Sequence, residues 1–124
     1  MGLIAKTIEV IGDKGKSNVV ALFDTGAAGS FIRRDVAERI GTIVKSPFPR
    51  RFTLGDGKAA IEAREFLAVD MIVKDARLYH YLLVVDELSD EVILGADMLQ
   101  RWKITLDPEK EDLFIDEKAL RLRL

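Results

Sequence analysis

The chain has 124 residues, 48% of them hydrophobic and 32% charged, with a formal net charge of −2. That length fits a single domain over residues 1–124 with one core, and the near-neutral balance gives no ground for nucleic-acid binding. Cysteine is absent, so disulfide staples and thiolate metal sites are excluded, and no apolar run approaches the ~18 residues of a membrane span.

Leu3 to Ile11 alternates in part, with Ile4, Ile8 and Val10 on one face. Gly12-Asp13-Lys14-Gly15 is turn chemistry before Val19 to Phe23, so a hairpin is predicted. Asp35 to Ile40 reads as a short helix with Val36, Ala37 and Ile40 inward and Gly41 as its stop. Pro47 and Pro49 mark an irregular connection, after which Phe52 and Leu54, the turn Gly55-Asp56-Gly57, and Ala59 to Val73 return to strand. A run that long is expected to bend or to contain a bulge. Lys74-Asp75-Ala76-Arg77 turns into the strand Leu78 to Val85, which only His80 interrupts. Asp97 is placed to cap a helix over Met98 to Trp102, and Asp107-Pro108 ends the strand that follows. Trp102 and Phe114 read as core. The tail Ala119-Leu120-Arg121-Leu122-Arg123-Leu124 alternates strictly, as a strand with one buried and one wet face; it either packs on its own core or forms an interface.

The most informative stretch is Ala21-Leu22-Phe23-Asp24-Thr25-Gly26-Ala27-Ala28-Gly29-Ser30, an apolar strand running straight into a carboxylate, a hydroxyl and a glycine. An acid at the end of a buried strand is usually there for chemistry, although a strand-end turn with a satisfied Asp has the same letters. Only one such segment exists and there are no internal repeats, so a mechanism needing two of these carboxylates needs two chains. A second motif, Val92-Ile93-Leu94-Gly95-Ala96-Asp97-Met98-Leu99, follows about seventy residues later, with a glycine turn between the two.

On Asp24-Thr25-Gly26-Ala27, Ser30 and the Val92–Leu99 motif, the chain resembles the retropepsin-like aspartic proteases, the single-lobe homodimeric relatives of pepsin. The cellular and bacterial members are the nearer match, because Leu94-Gly95-Ala96-Asp97-Met98-Leu99 leads to a helix and then Trp102-Lys103-Ile104-Thr105-Leu106-Asp107. The resemblance implies a mostly β, closed barrel-like fold with one or two short helices, working as a homodimer on a peptide or protein substrate without metal or other cofactor. It implies an Asp24 dyad that activates water. Two carboxylates about 3 Å apart share one proton, the charged one taking a proton from water and the neutral one protonating the carbonyl. In the family's pattern Thr25 bonds across the two-fold axis, Gly26 lets the chain turn and offers its N–H to the carboxylate, and Ile93-Leu94-Gly95 packs behind the catalytic loop. Ser30 is expected to hydrogen-bond the outer oxygen of Asp24. Residues Leu54, Gly55, Asp56, Gly57 and Lys58 fall where the family places its flap, although an ordinary exposed turn reads the same way. Asp56 and Lys58 make this flap polar, and it lacks a tyrosine. Ala27, Ala28, Phe31 and Ile93 are the expected pocket walls. The terminal strands of such dimers interleave, which would assign the tail to the interface. A catalytically weak or silent dimeric domain that binds peptides is the alternative function.

Other constellations fail. Gly15-Lys16-Ser17 resembles the end of a phosphate loop, but Val10 stands where the earlier glycine is required and a strand follows. His80 is the only histidine, which supports neither a nucleophile triad nor a zinc site, and it is expected at a surface or interface. Lys6 stands where a myristoylation pattern requires Ser or Thr, and no signal-peptide pattern is present. The chain therefore reads as soluble and cytoplasmic, or as a domain of a longer precursor, with no membrane partner.

Overall fold

The computed structural model describes residues 2–53, 60–116 and 118. The expected flap turn, residues 54–58, and the alternating tail, residues 119–124, lie outside the described residues.

The predicted hairpin forms as β1 (Leu3–Ile11) and β2 (Lys16–Asp24), in antiparallel register from Leu3↔Asp24 to Ile11↔Lys16. Ile4, Ile8 and Val10 of β1 and Val19, Ala21 and Phe23 of β2 are buried, as their alternation requires. After β3 (Phe31–Arg33) comes α1 (Arg34–Ile40), which buries Val36, Ala37 and Ile40. Gly41 ends it by returning its N–H to the Ala37 carbonyl. Then follow β4 (Val44–Thr53), β5 (Ala60–Val73), β6 (Ala76–Val85), β7 (Val92–Leu94), α2 (Ala96–Arg101), β8 (Ile104–Asp107) and β9 (Asp112–Ile115).

Seven strands form one sheet in the order β1-β2-β7-β3-β6-β5-β4, and β1 also pairs with β5, so six of them close into a barrel. The length of β5 permits this. Its residues 60–66 pair with β4, its residues 70–72 pair with β1, and its other edge pairs with β6 through residues 66–73. Closure removes the edges an open sheet would expose, and β4 remains as the outer strand. Strands β8 and β9 form a separate hairpin.

Several expectations are corrected. The Pro47–Pro49 connection belongs to β4. Of the bend or bulge expected in the long strand, the bulge falls on its partner β4 instead, where pairing with β5 breaks between Lys45 and Arg50. Proline lacks the N–H a ladder needs, so Ser46-Pro47-Phe48-Pro49 arches away from β5. The helix after the second motif begins at Ala96 with Gly95 as its N-cap, so Asp97 is inside the first turn and not at the capping position. Trp102 is buried, whereas Phe114 is 56% exposed, on the outer face of β9. No described helix is long and apolar enough to cross a membrane.

Candidate active site

Parallel pairing of β2 with β7 (Phe23↔Leu94) and antiparallel pairing of β3 with β7 (Phe31↔Ile93) slot β7 between the two strands that flank residues 25–30. The loop must therefore cross over the end of β7. Gly95 makes the crossing possible: a Cβ there would lie 2.2 Å from the Gly29 carbonyl oxygen and 2.5 Å from that of Ala27. The Ala96 N–H then donates to Ala27 O at 2.7 Å, fastening the loop to the start of α2.

Asp24 ends β2, partly buried, and its Oδ1 accepts the Gly26 N–H at 2.8 Å. Among the described residues no group bonds the other carboxylate oxygen. Thr25 is exposed and engaged within its own chain. Its N–H donates to Gly2 O at 3.0 Å, its Oγ1 accepts the Gly2 N–H at 2.6 Å, and its hydroxyl faces Gly2 O at 3.2 Å. This continues the β1–β2 ladder by one residue, with the threonine hydroxyl in place of a backbone carbonyl.

Ser30 does not reach Asp24, which corrects the sequence expectation. Its hydroxyl, 1% exposed, accepts the Gly95 N–H at 3.0 Å and donates to Asp97 Oδ1 at 2.8 Å. The other Asp97 oxygen lies 2.9 Å from His80 Nε2, so the imidazole donates through that nitrogen. Burial opposes charge on Asp97, but the bonds from His80, Ser30 and the Met98 N–H outweigh it and hold this carboxyl below the usual carboxylate range. His80 is therefore a mostly enclosed partner, with its side chain 11% exposed, and not a surface residue. Parity along β6 could have found this, since residues 78, 80, 82 and 84 share a face and Leu78, Leu82 and Val84 are buried. The three residue types of a serine triad are present but connected in the wrong order: the serine bonds the carboxylate and is sealed from substrate. The network braces the loop. Among the described residues no three His, Asp or Glu side chains are gathered to hold a metal.

Of the expected pocket walls, Ala28 is exposed, Ala27 and Ile93 are partly exposed, and Phe31 is buried. Phe31 meets Phe52 edge-on, with ring centroids 5.2 Å apart, and the Phe52 ring covers Gly29 so closely that a Cβ there would lie 2.9 Å from it. Phe52 is a site residue that sequence reasoning placed only in a strand. It couples β4 to the loop that carries Asp24.

A closed barrel whose Asp-Thr-Gly loop is threaded over a hydrophobic-hydrophobic-glycine strand is the architecture of retropepsin-like proteins. Residues 12–101 match the family model described as "gag-polyprotein putative aspartyl protease", and the chain belongs to that family. Among solved structures it is similar to the retroviral protease-like domain of Ddi1 from Leishmania major, with TM-score 0.58 and 16% identity over 94% of this chain and 89% of that one. It is similar to EIAV protease, solved in complex with the inhibitor HBY-793, with TM-score 0.61 and 20% identity over 86% and 93%. It is also similar to Lpg0085, of unknown function, from Legionella pneumophila, with TM-score 0.51 and 12% identity over 83% and 90%. At these identities the three likenesses speak for the fold alone.

Proposed function

We propose that the protein is an aspartic endopeptidase active as a homodimer, with one Asp24 from each copy. The observation that carries this reading is the state of Asp24: one oxygen is held by the Gly26 N–H, no described group bonds the other, and the whole loop is pinned from behind through Gly95. A carboxylate held this way is oriented yet open to a water and to a second carboxylate. Since the chain supplies one such loop, the pair requires a two-fold axis through it. The charged Asp24 takes a proton from water, the neutral one protonates the scissile carbonyl, and the tetrahedral diol collapses with proton return to the amine, with no covalent intermediate. Substrate lies extended between the Asp24 loops and the flap, residues 54–58, with Ala27, Ala28, Phe31 and Ile93 as walls and Phe52 behind them. Ser30, Leu94, Gly95 and Asp97 support the loop.

The test compares cleavage of a diverse peptide library by wild type and Asp24→Asn across mildly acidic to neutral pH and across protein concentration. The reading expects cleavage by wild type alone, rising faster than linearly with concentration where monomer dominates, and falling once pH ionises both carboxylates. Rates that keep climbing into alkaline pH would refute the shared proton. One observation favours the weaker alternative of a silent, peptide-binding domain: the Thr25 groups that would bridge the axis are already bonded to Gly2.

A further inference from the structure

Strand β4 carries Lys45, Arg50 and Arg51 and no acid. The carboxylates opposite it are already used: Glu65 faces Lys45 and Glu62 faces Arg51 across the ladder, but Glu65 pairs with Arg34 and Glu62 with Arg64. Among the described residues none of the three β4 cations is in an ion pair. Where β4 arches away from β5, a cavity of about 450 Å³ opens beside the arch, lined by Phe48, Arg50, Phe66, Tyr81 and Leu83 together with His80 and Asp97. Phe66 and Tyr81 meet edge-on at 5.3 Å, while Phe48 is 77% and Tyr81 61% exposed.

Prolines, charges and a bulge are devices by which an edge strand avoids pairing with other strands. That purpose alone would not leave two aromatic rings exposed around a cavity, which invites contact instead. We infer that this arch is a docking site for an extended, acidic protein segment with an aromatic side chain, the ring entering between Phe48 and Tyr81 and the acids meeting Arg50, Arg51 and Lys45. Charge complementarity selects this occupant. The chain's own tail, with Arg121 and Arg123 between its leucines, has the wrong sign. The cavity lining joins Phe48, Phe66 and Tyr81 to the Asp97 carboxylate, which suits an inserted aromatic side chain better than a nucleic-acid strand with its continuous phosphate backbone. Because β4 continues through Phe52 to the loop of Asp24, the docked segment is part of a substrate; that last step rests on the endopeptidase reading, whereas the docking does not.

The experiment measures fluorescence anisotropy of three labelled probes with the Asp24→Asn protein, which separates binding from cleavage. The probes are a Glu/Asp-rich peptide with one central Phe, the same peptide with Lys for its acids, and a single-stranded oligothymidine. The expected result is salt-sensitive binding of the acidic peptide, weakened about tenfold or more by Phe48→Ser and by replacing its Phe with Ala. Arg50→Glu with Arg51→Glu should reverse the preference toward the Lys peptide. Both variants change exposed side chains, and circular dichroism checks their fold. Equal binding of the two peptides, no response to Phe48→Ser, or tighter binding of the oligonucleotide each overturns the proposal. Acidic-peptide binding without any wild-type cleavage would leave the docking site standing and remove the endopeptidase reading. Cleavage without such docking would do the reverse.

Discussion

Gly95→Ala tests whether the loop carrying Asp24 is held as tightly as the structure has it. The new Cβ would lie 2.2 Å from Gly29 O and 2.5 Å from Ala27 O, where contact normally begins near ~3.5 Å, so two backbone atoms of one loop must retreat by about 1 Å. Neither can swing aside as a side-chain tip would. Overpacking against backbone costs about 3 kcal/mol, and weakening the Ala96 N–H bond to Ala27 O adds about 1 kcal/mol. At about 4 °C per kcal/mol for a domain of this size, the melting temperature should fall by roughly 12–16 °C. Gly12→Ala is the control: its Cβ would lie 2.2 Å from Ile40 O, an equal clash, but at the far end of the β1–β2 ladder from Asp24. Thermal melts followed by circular dichroism should show both losses. Peptide cleavage per folded molecule, assayed where both variants remain folded, should fall at least tenfold for Gly95→Ala and stay near wild type for Gly12→Ala. A Gly95→Ala protein that melts within about 2 °C of wild type, or that cleaves as well as Gly12→Ala, would refute the reasoning.

Acid titration reports on the carboxylates held low in the folded state. The Asp97 carboxyl lies below its ordinary range, and Asp112, hydrogen-bonded to Lys74 and to the Leu113 N–H, titrates at about 2. Both contribute stability that is complete above the unfolded value near ~3.9 and is lost as pH falls through the lower folded value, so unfolding free energy should drop between about pH 4 and pH 2. Asp97→Asn should flatten part of that drop and cost roughly 1–2 kcal/mol at pH 7; an unchanged acid limb in urea titrations would count against the Ser30–Asp97–His80 network. Thr25→Val removes the acceptor of the Gly2 N–H and also the group expected to bridge the dimer. Analytical ultracentrifugation should show dimer association weakened at least tenfold, and an unaltered constant would remove Thr25 from the axis. Asp75→Gly should raise stability by about 0.5–1 kcal/mol, because Asp75 sits at φ 65° in the two-residue turn joining β5 and β6; a loss of stability would mean the Asp75 side chain contributes more than the backbone cost.

The barrel was legible wherever a local pattern decides the structure. Ile4, Ile8 and Val10 face inward by parity, Gly41 stops α1, and the two motifs mark the loop and the strand beneath it. What stayed hidden depends on pairing between distant segments. Two prolines in four residues argue against a central strand, and β4 accommodates them only because it is the outermost strand and can leave its ladder. The polar partners were hidden for the same reason. Ser30 lies in the loop before β3, His80 on β6 and Asp97 on α2, and Ser30 stands six residues from Asp24, so proximity in sequence suggested the wrong carboxylate.

The distribution of hydrogen bonds over the two carboxylates near the loop separates their roles. Asp97 has both oxygens engaged, by Ser30 and by His80, and lies where β3, β6 and α2 converge. A group so satisfied has little capacity left for substrate and is suited to fixing geometry. Asp24 has one backbone bond, directly after Ala21, Leu22 and Phe23, which are locked into ladders on both sides. Chemistry needs the reverse of saturation: a group oriented by its surroundings but with an unfilled acceptor aimed outward. Exchanging the two demands makes this testable in one protein. Asp97→Asn retains an acceptor for Ser30 and should lower turnover only severalfold, through looser positioning, with the pH profile of cleavage keeping its shape. Asp24→Asn should abolish turnover at every pH while thermal stability changes by less than about 1 kcal/mol, since only the Gly26 bond is affected. If Asp97→Asn instead shifted the pH profile and Asp24→Asn left cleavage intact, the assignment of the two carboxylates would have to be exchanged.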